Sequence, residues 1–393
     1  MLKRYSLLPP AKIPIAWLLL SRFKLKFLTA LLGIIFASVL IHAQLGLRSA
    51  LFESSISIFK TFNADIVMIN RLSVGSTTLQ GFDPNRLALF ERYAEVTATT
   101  PVRYDFVRWH YPDTRKNSWV IMLGFNPKLR VFNKEDIIAN QDSLKLPSRI
   151  LYDELSRKEF GPVSQDYEKS TSVVAFVNDK RVKISGLIKI GTSFSYDASF
   201  LTSLSTFETL SGLTTPGNIE IGLIKTATGV NAEKFLASVQ DDLASDVKIY
   251  TLDGFLQLEK DYWDRSKPIG FVFGFNAILG FFVGMLILYQ ILFTDVTSHL
   301  SDFSTMLALA FSYRRIRLIV FQESLILTVI GYPIGVIVSI LLFAMIQSVT
   351  GLPVRMSIDR LLICFALTIL MSTCSAFMAM RKLDDANPIE VYE

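Results

Sequence analysis

The residues best suited to chemistry gather near position 314. Arg314, Arg315 and Arg317 stand directly before an apolar run, and Gln322 and Glu323 sit just inside it. Guanidinium groups suit contact with carboxylates or phosphates. A carboxylate within an apolar run costs on the order of 3 kcal/mol at mid-bilayer and much less near the interface. Glu323 has two readings: a carboxylate near a helix start is favoured by the macrodipole alone, or it pairs one turn back with Arg317 or with an arginine of a neighbouring subunit.

Elsewhere chemistry is sparse. Cys364 and Cys374 share one apolar run, ten residues apart, which is about 15 Å on a helix and out of disulfide reach. His42, His110 and His299 are scattered and form no metal-ligand spacing. There is no G-x-S-x-G, no H-E-x-x-H and no phosphate loop of the form G-x-x-x-x-G-K-S/T. A chain that is not an enzyme, with no metal and no cofactor of its own, is the expectation.

The elements that must position these residues are of two kinds. The chain has 393 residues, 51% hydrophobic, with a mean hydropathy of +0.39. That is too apolar for an ordinary soluble protein and too polar for one made only of spans. Four runs are long enough to cross a bilayer: 27–47, 268–294, 318–347 and 361–380. Basic residues cluster in segments 1–26, 295–317 and 381–393, which fall on one side of a four-span arrangement. The positive-inside rule then makes that side cytoplasmic, with both termini on it. A short loop at 348–360 and a large segment at 48–267 lie outside. The basic stretch before the first run holds IPIAWLLL, and no small-x-small cleavage pattern follows the run. An uncleaved anchor preceded by an interfacial helix is expected.

The fold class expected is thus membrane α-helical, four transmembrane helices, with a large α+β extracytoplasmic domain inserted between helices 1 and 2. Strand-like runs occur at 64–69, 118–125, 172–177, 181–190, 219–226 and 246–250. DPNRLALFERYAEV and VNAEKFLASVQDDLA read as helices, opened by Asp83 before Pro84 and by Asn231. Strand, helix, strand occurs twice, giving porter-like parts at 64–115 and 215–251 around a β-rich insertion at 118–212. The helical stretches 45–62 and 252–265 extend the first two spans outward as stalks.

Between the second and third spans, Leu300, Phe303, Leu307, Ala310 and Phe311 recur at helical spacing. One amphipathic helix at the inner surface is expected there, with lipid contact through snorkelling arginines as its plainest use. Gly270 and Gly274, Gly280 and Gly284, and Gly331 and Gly335 recur at four-residue spacing, which lets helices approach closely. Pro333 should kink the third span.

The chain resembles the DevC-like permeases of cyanobacterial ABC exporters, within the MacB/FtsX/LolC-type permease superfamily. The resemblance runs through IPIAWLLL, ALFESS, ADIVMIN, GFNP, IEIGLIK, YWDRSKPIGF, YQILFTDV, FQESLIL, AMRKL and the closing NPIEVYE. It implies a permease in the inner membrane, working as a homodimer or a pair and without catalytic residues. A separate ABC ATPase subunit would bind the ATP and dock on the cytoplasmic segment, through Asp302, Leu307, Phe311, Tyr313, Arg314 and Arg315. A membrane-fusion (adaptor) protein and a TolC-like outer-membrane channel would complete an export path. The coupling would be mechanotransmission, and the family's namesake exports glycolipid. No nucleic acid partner is implied. The resemblance also admits an FtsX-like transmitter that signals to an outer partner without transport. Relatives carry a Thr-Leu-Lys-Ala-Met-Gly-Tyr-like run where this chain has Leu307 for the lysine and Ala310 for the glycine.

Overall fold

The computed structural model describes residues 15–22, 24–112, 114, 118–170, 172–212, 217–266, 269–309 and 312–384. They fall into two units. One holds Ser49–Phe271 with Ile346–Val354; the other holds the chain up to Arg48, Val272–Met345 and the residues from Arg355.

The elements are, in order, α1 (Ile15–Arg22), α2 (Lys24–Ser55), β1 (Ile66–Asn70), α3 (Asn85–Ala88), β2 (Val96–His110), β3 (Ser118–Phe125), α4 (Glu135–Asn140) and β4 (Arg149–Asp153). There follow α5 (Val163–Lys169), β5 (Val174–Val177), β6 (Lys180–Ile188), β7 (Ser199–Ser203), α6 (Leu204–Leu210), β8 (Ile221–Thr226), α7 (Ala232–Val239), β9 (Val247–Thr251) and α8 (Leu252–Asp261). The chain closes with α9 (Ile269–Ser298), α10 (Leu300–Ala308), α11 (Tyr313–Thr350) and α12 (Ile358–Asp384).

Four of these, α2, α9, α11 and α12, are long and apolar enough to cross a membrane. α2, α11 and α12 each contain one of the charge-poor runs and extend past it, and α9 covers the fourth from Ile269 onward and extends past its end. With no charge to solvate, every backbone group in such a run is best satisfied inside a helix. The helix α2 stops at Ser55, where the hydroxyls of Ser54, Ser55 and Ser57 turn back onto the carbonyls of Leu51, Phe52 and Ser54. Such local bonds compete with helix propagation. The first stalk is therefore shorter than the expected 45–62. The second is α8, opened by Thr251, whose Oγ1 accepts from Gly254 N at 3.0 Å, and followed by a π-helical turn at Tyr262–Ser266. Pro333 lies inside α11 without interrupting it.

The α+β unit is organised by one nine-stranded sheet, in the order β3-β7-β4-β6-β5-β2-β8-β1-β9. At one end, β2, β8, β1 and β9 are antiparallel neighbours. The two strand-helix-strand units thus interlock, with β8 between β1 and β2 and β1 between β8 and β9. This is the split βαβ arrangement, closer than two units merely flanking an insertion. The insertion supplies β3 to β7. Residues 83–96 form only the single turn α3 and a 3₁₀ turn at Leu89–Arg92 before β2 begins; Asp83 Oδ1 still accepts from Asn85 N at 2.9 Å. Asn231 caps α7, accepting from Lys234 N.

The strand β2 is the longest element of the sheet, and it serves both ends. Its first half, Val96–Val102, pairs with β8. Its second half, Arg103–Trp109, pairs with β3. A core built on Ile66, Met68, Phe90, Phe235 and Val247 lies under the interlocked units. Another, built on Trp109, Tyr152, Phe160, Phe200 and Phe207, fills the insertion.

Candidate functional site

The segment from Asp295 to Glu323 does not form one amphipathic helix over 295–317. The helix α9 runs to Ser298, and α10 covers only Leu300–Ala308. A break follows, and Tyr313 opens α11. The hydrogen bonds from His299 N to Asp295 O and from Phe303 N to His299 O carry the helical pattern across the first junction. Ser312 O receives the N–H of Arg315 at the second. Apolar spacing continues past this second junction, but Tyr313, Arg314 and Arg315 sit on the first turn of the long helix.

Phe303 of α10 is sealed among Val296, Ile316, Val320 and Met380, with Leu300 and Met306 packed at the edge of the same cluster. Burying Phe303 inside the protein removes it from both water and lipid. Asp302 Oδ2 lies 3.0 Å from His299 Nδ1, which holds the acid against its own helix. Tyr313, Arg314 and Arg315 are exposed. Phe311 and the departure at Ala310 lie outside the described residues, as does the side chain of Leu307.

Glu323 is 1% exposed, and among the described residues neither carboxylate oxygen has a hydrogen-bond partner. The charged group facing it is the carboxyl of Asp295 on α9. The expected partner, Arg317, is on the same helix; the observed one is another acid on a neighbouring helix. Reasoning about one helix turn could not have found it. Asp295 also borders a cleft of about 180 Å³ whose apolar wall includes Leu20, Phe27, Ala30 and Leu327. Lys26, on the same cleft, donates to Ser298 Oγ at 2.8 Å.

The glycines divide. A Cβ on Gly331 would stand 2.8 Å from Ile34 Cγ2, one on Gly335 2.8 Å from Ser38 Oγ, and one on Gly284 2.7 Å from Ala37 Cβ. One on Gly280 would reach Leu40 at 3.1 Å. These four lie against α2. Gly274 has nothing within 4 Å, and Gly270 packs on Asp264 of the preceding turn, so that pair brings no two described helices together.

The α+β unit also contains buried polar groups that no motif or spacing marks. Arg103 and Glu220, both buried, bridge β2 to the residue before β8. Arg103 also pairs with Glu208 and lies over the Phe207 ring at 4.9 Å. Burial pushes the Glu220 carboxyl up, while the Arg103 guanidinium and Tyr104 N–H pull it back. Asp153 accepts from the backbone of Leu155, Ile190 and Gly191 and from Ser199; burial still raises it to about 6. Trp109 is a core residue, its Nε1 donating to Phe160 O at 3.0 Å, and His110 rests against Phe176. Among the described residues no group of three or more His, Cys, Asp or Glu could hold a metal ion.

Four apolar helices and one large α+β unit define a polytopic membrane protein with a sizeable domain outside the bilayer. Within it, residues 274–388 match the family described as FtsX-like permease C-terminal, which spans α9 to α12. No curated protein matches the chain. Among solved structures it is similar to the periplasmic region of MacB from Actinobacillus actinomycetemcomitans, at 14% identity and a TM-score of 0.34, covering 50% of this chain and 92% of that one. It is also similar to the extracellular domain of the noncanonic ABC-type transporter YknZ from Gram-positive bacteria, at 9% identity and a TM-score of 0.31, covering 48% and 100%. At these values neither likeness carries a functional inference.

Proposed function

We propose that the chain is the permease subunit of an ABC exporter whose ATP is bound and hydrolysed by a separate subunit. The observation that carries this reading is the match of α9 to α12 to the FtsX-like permease C-terminal family. The exposed Tyr313, Arg314 and Arg315 at the mouth of α11 offer an ATPase subunit a basic and aromatic contact. Phe303 of α10, packed on α11 and α12, gives that contact a backing through which a push is passed to the spans. In this reading the contact faces the cytoplasm, both termini lie there too, and the α+β unit lies in the periplasm of an inner-membrane permease. A second copy of the chain, an adaptor and a TolC-like channel complete the path, and the cargo is lipid-like or otherwise hydrophobic.

The test is co-expression with a candidate ABC ATPase subunit. The purified chain alone should hydrolyse no ATP, while the assembled complex should differ from the free ATPase subunit in turnover by several-fold. An ATPase subunit that neither co-purifies nor changes its turnover would remove the exporter reading. Capture of a wall hydrolase by the α+β unit, in place of adaptor and channel, would replace it with the transmitter.

A further inference from the structure

Two loops of the α+β unit end in apolar side chains that the fold leaves bare. Leu72 and Val74, on the loop after β1, are 69% and 49% exposed; Phe194, on the loop after β6, is 47% exposed. Neither loop is loosely held. Ser76 donates to Glu259 through both its N and its Oγ, at 2.7 Å each, and Thr77 Oγ1 lies 2.9 Å from Tyr262 OH. On the other loop, Phe194 N donates to Ser54 Oγ at 3.2 Å. Tyr196 OH lies 3.3 Å from Ser57 Oγ, and Asp153 holds Ile190 and Gly191.

The anchors are the roots of helices that enter the membrane. Ser54 ends α2, while Glu259 and Tyr262 belong to the segment that leads into α9. The Phe194 ring meets Trp263 edge-on at 5.4 Å, and Trp263 meets Tyr262 at the same distance. A Cβ on Gly75 would touch the Tyr262 ring at 2.6 Å, and one on Gly191 would reach Leu155, itself half-exposed, at 3.9 Å. The close contacts therefore run from Gly75, next to Val74 in the chain, through Tyr262 and Trp263 to Phe194.

The height of this collar is bounded by chain length. Thr192 meets Gly351, the first residue of the connection from α11 to α12, and 351–357 is too short to carry it far from the bilayer surface. Trp263 precedes α9 by only six residues, which tethers it near the surface where α9 would enter the bilayer. Tyr262 and Trp263 are themselves buried, so they back the exposed side chains and do not meet lipid. Arg265, exposed beside them, suits lipid phosphate.

We infer that Leu72, Val74, Leu155 and Phe194, backed by Tyr262 and Trp263, rest in the lipid headgroup layer and seat the α+β unit on the bilayer surface. The inference relies on α9 crossing the membrane, and the experiment separates the two. In the full chain with Cys364→Ala and Cys374→Ala, an environment-sensitive fluorophore is placed singly at Leu72→Cys, Val74→Cys, Phe194→Cys, Trp119→Cys and Leu286→Cys. Each protein is reconstituted in phosphatidylethanolamine–phosphatidylglycerol vesicles containing nitroxide lipids. The label at 286, on α9, should be quenched by a deep nitroxide. Labels at 72, 74 and 194 should be quenched by a shallow nitroxide at least threefold more than the label at 119. Quenching of 72, 74 and 194 by aqueous iodide alone, with 286 still lipid-quenched, overturns the seat and leaves the span intact. A signal at 194 that changes when labelled chain is diluted with unlabelled chain also overturns it, in favour of contact between copies. Failure at 286 overturns the span and the seat together.

Discussion

Arg103 Nε donates to Glu220 Oε2 at 2.9 Å, with both side chains almost sealed from solvent. Arg103 is the first residue of β2 to pair with β3, and its predecessor Val102 is the last to pair with β8. The ion pair thus stands where the sheet passes from the interlocked units to the insertion, and Glu208 and Phe207 close over it from the insertion side. Arg103→Met should destabilise the α+β unit by about 3–5 kcal/mol, because Glu220 is left charged and buried without its partner. Adding Glu220→Leu should recover much of that loss. Denaturation of the full chain in detergent measures both; a single variant as stable as the parent would show that the pair is idle.

Glu323 and Asp295 present two carboxyl groups to one another in the helical unit. Replacing one carboxyl by an amide that can donate to Asp295 should therefore be tolerated. Glu323→Gln is expected to melt no lower than the parent in detergent. A marked fall in melting temperature would mean that Glu323 serves instead as the counter-charge of an arginine.

Arg314 and Arg315 carry the proposed contact with the ATPase subunit and are exposed on the first turn of α11. Their joint replacement by glutamate should reduce co-purification of that subunit at least tenfold, while membrane insertion and melting temperature stay unchanged. Undiminished association would move the contact elsewhere.

Asp153 gives the α+β unit a pH dependence whose sign follows from its raised value. The folded protein holds the proton up to about pH 6, whereas an exposed aspartate gives it up near 4. Between those values the native state binds more protons than the unfolded one, so this group's contribution to stability falls as pH rises from 4 to 6. Asp153→Asn should lower stability overall, because its amide faces backbone donors, and should flatten that slope. Parallel slopes for parent and variant in pH-dependent unfolding would contradict the assignment.

Gly331 and Gly274 offer a contrast within one class of residue. Gly331→Leu drives a side chain into Ile34 and Leu31 and should cost about 1–3 kcal/mol through overpacking. Gly274→Ala meets open space and should change nothing measurable. Melting temperatures of the two variants in the same detergent decide it; equal shifts would remove the distinction.

The spans were readable because their evidence is local: a run of about 20 residues without charge has few other fates. The cap at Asn231 was readable for the same reason. The strand β2 was harder, since Pro101 and the charged Arg103 and Asp105 break the alternation by which a strand is recognised, and its burial depends on strands far away in the chain. Arg103 looks like a surface residue until Glu220 is brought to it by the sheet. Around α10 the apolar period runs on while the backbone breaks, so spacing alone joined two helices that are separate. Glu323 was noticed from its apolar setting, but Asp295 reaches it only through helix packing.

The double membership of β2 bears on how such proteins can be inherited and recombined. A crossover placed between positions 96 and 110 would leave each half of the sheet missing an inner strand, so neither half can travel alone between genes. Exchange of the α+β unit between homologues should succeed only when the breakpoints enclose the whole plate, from before β1 to after β9.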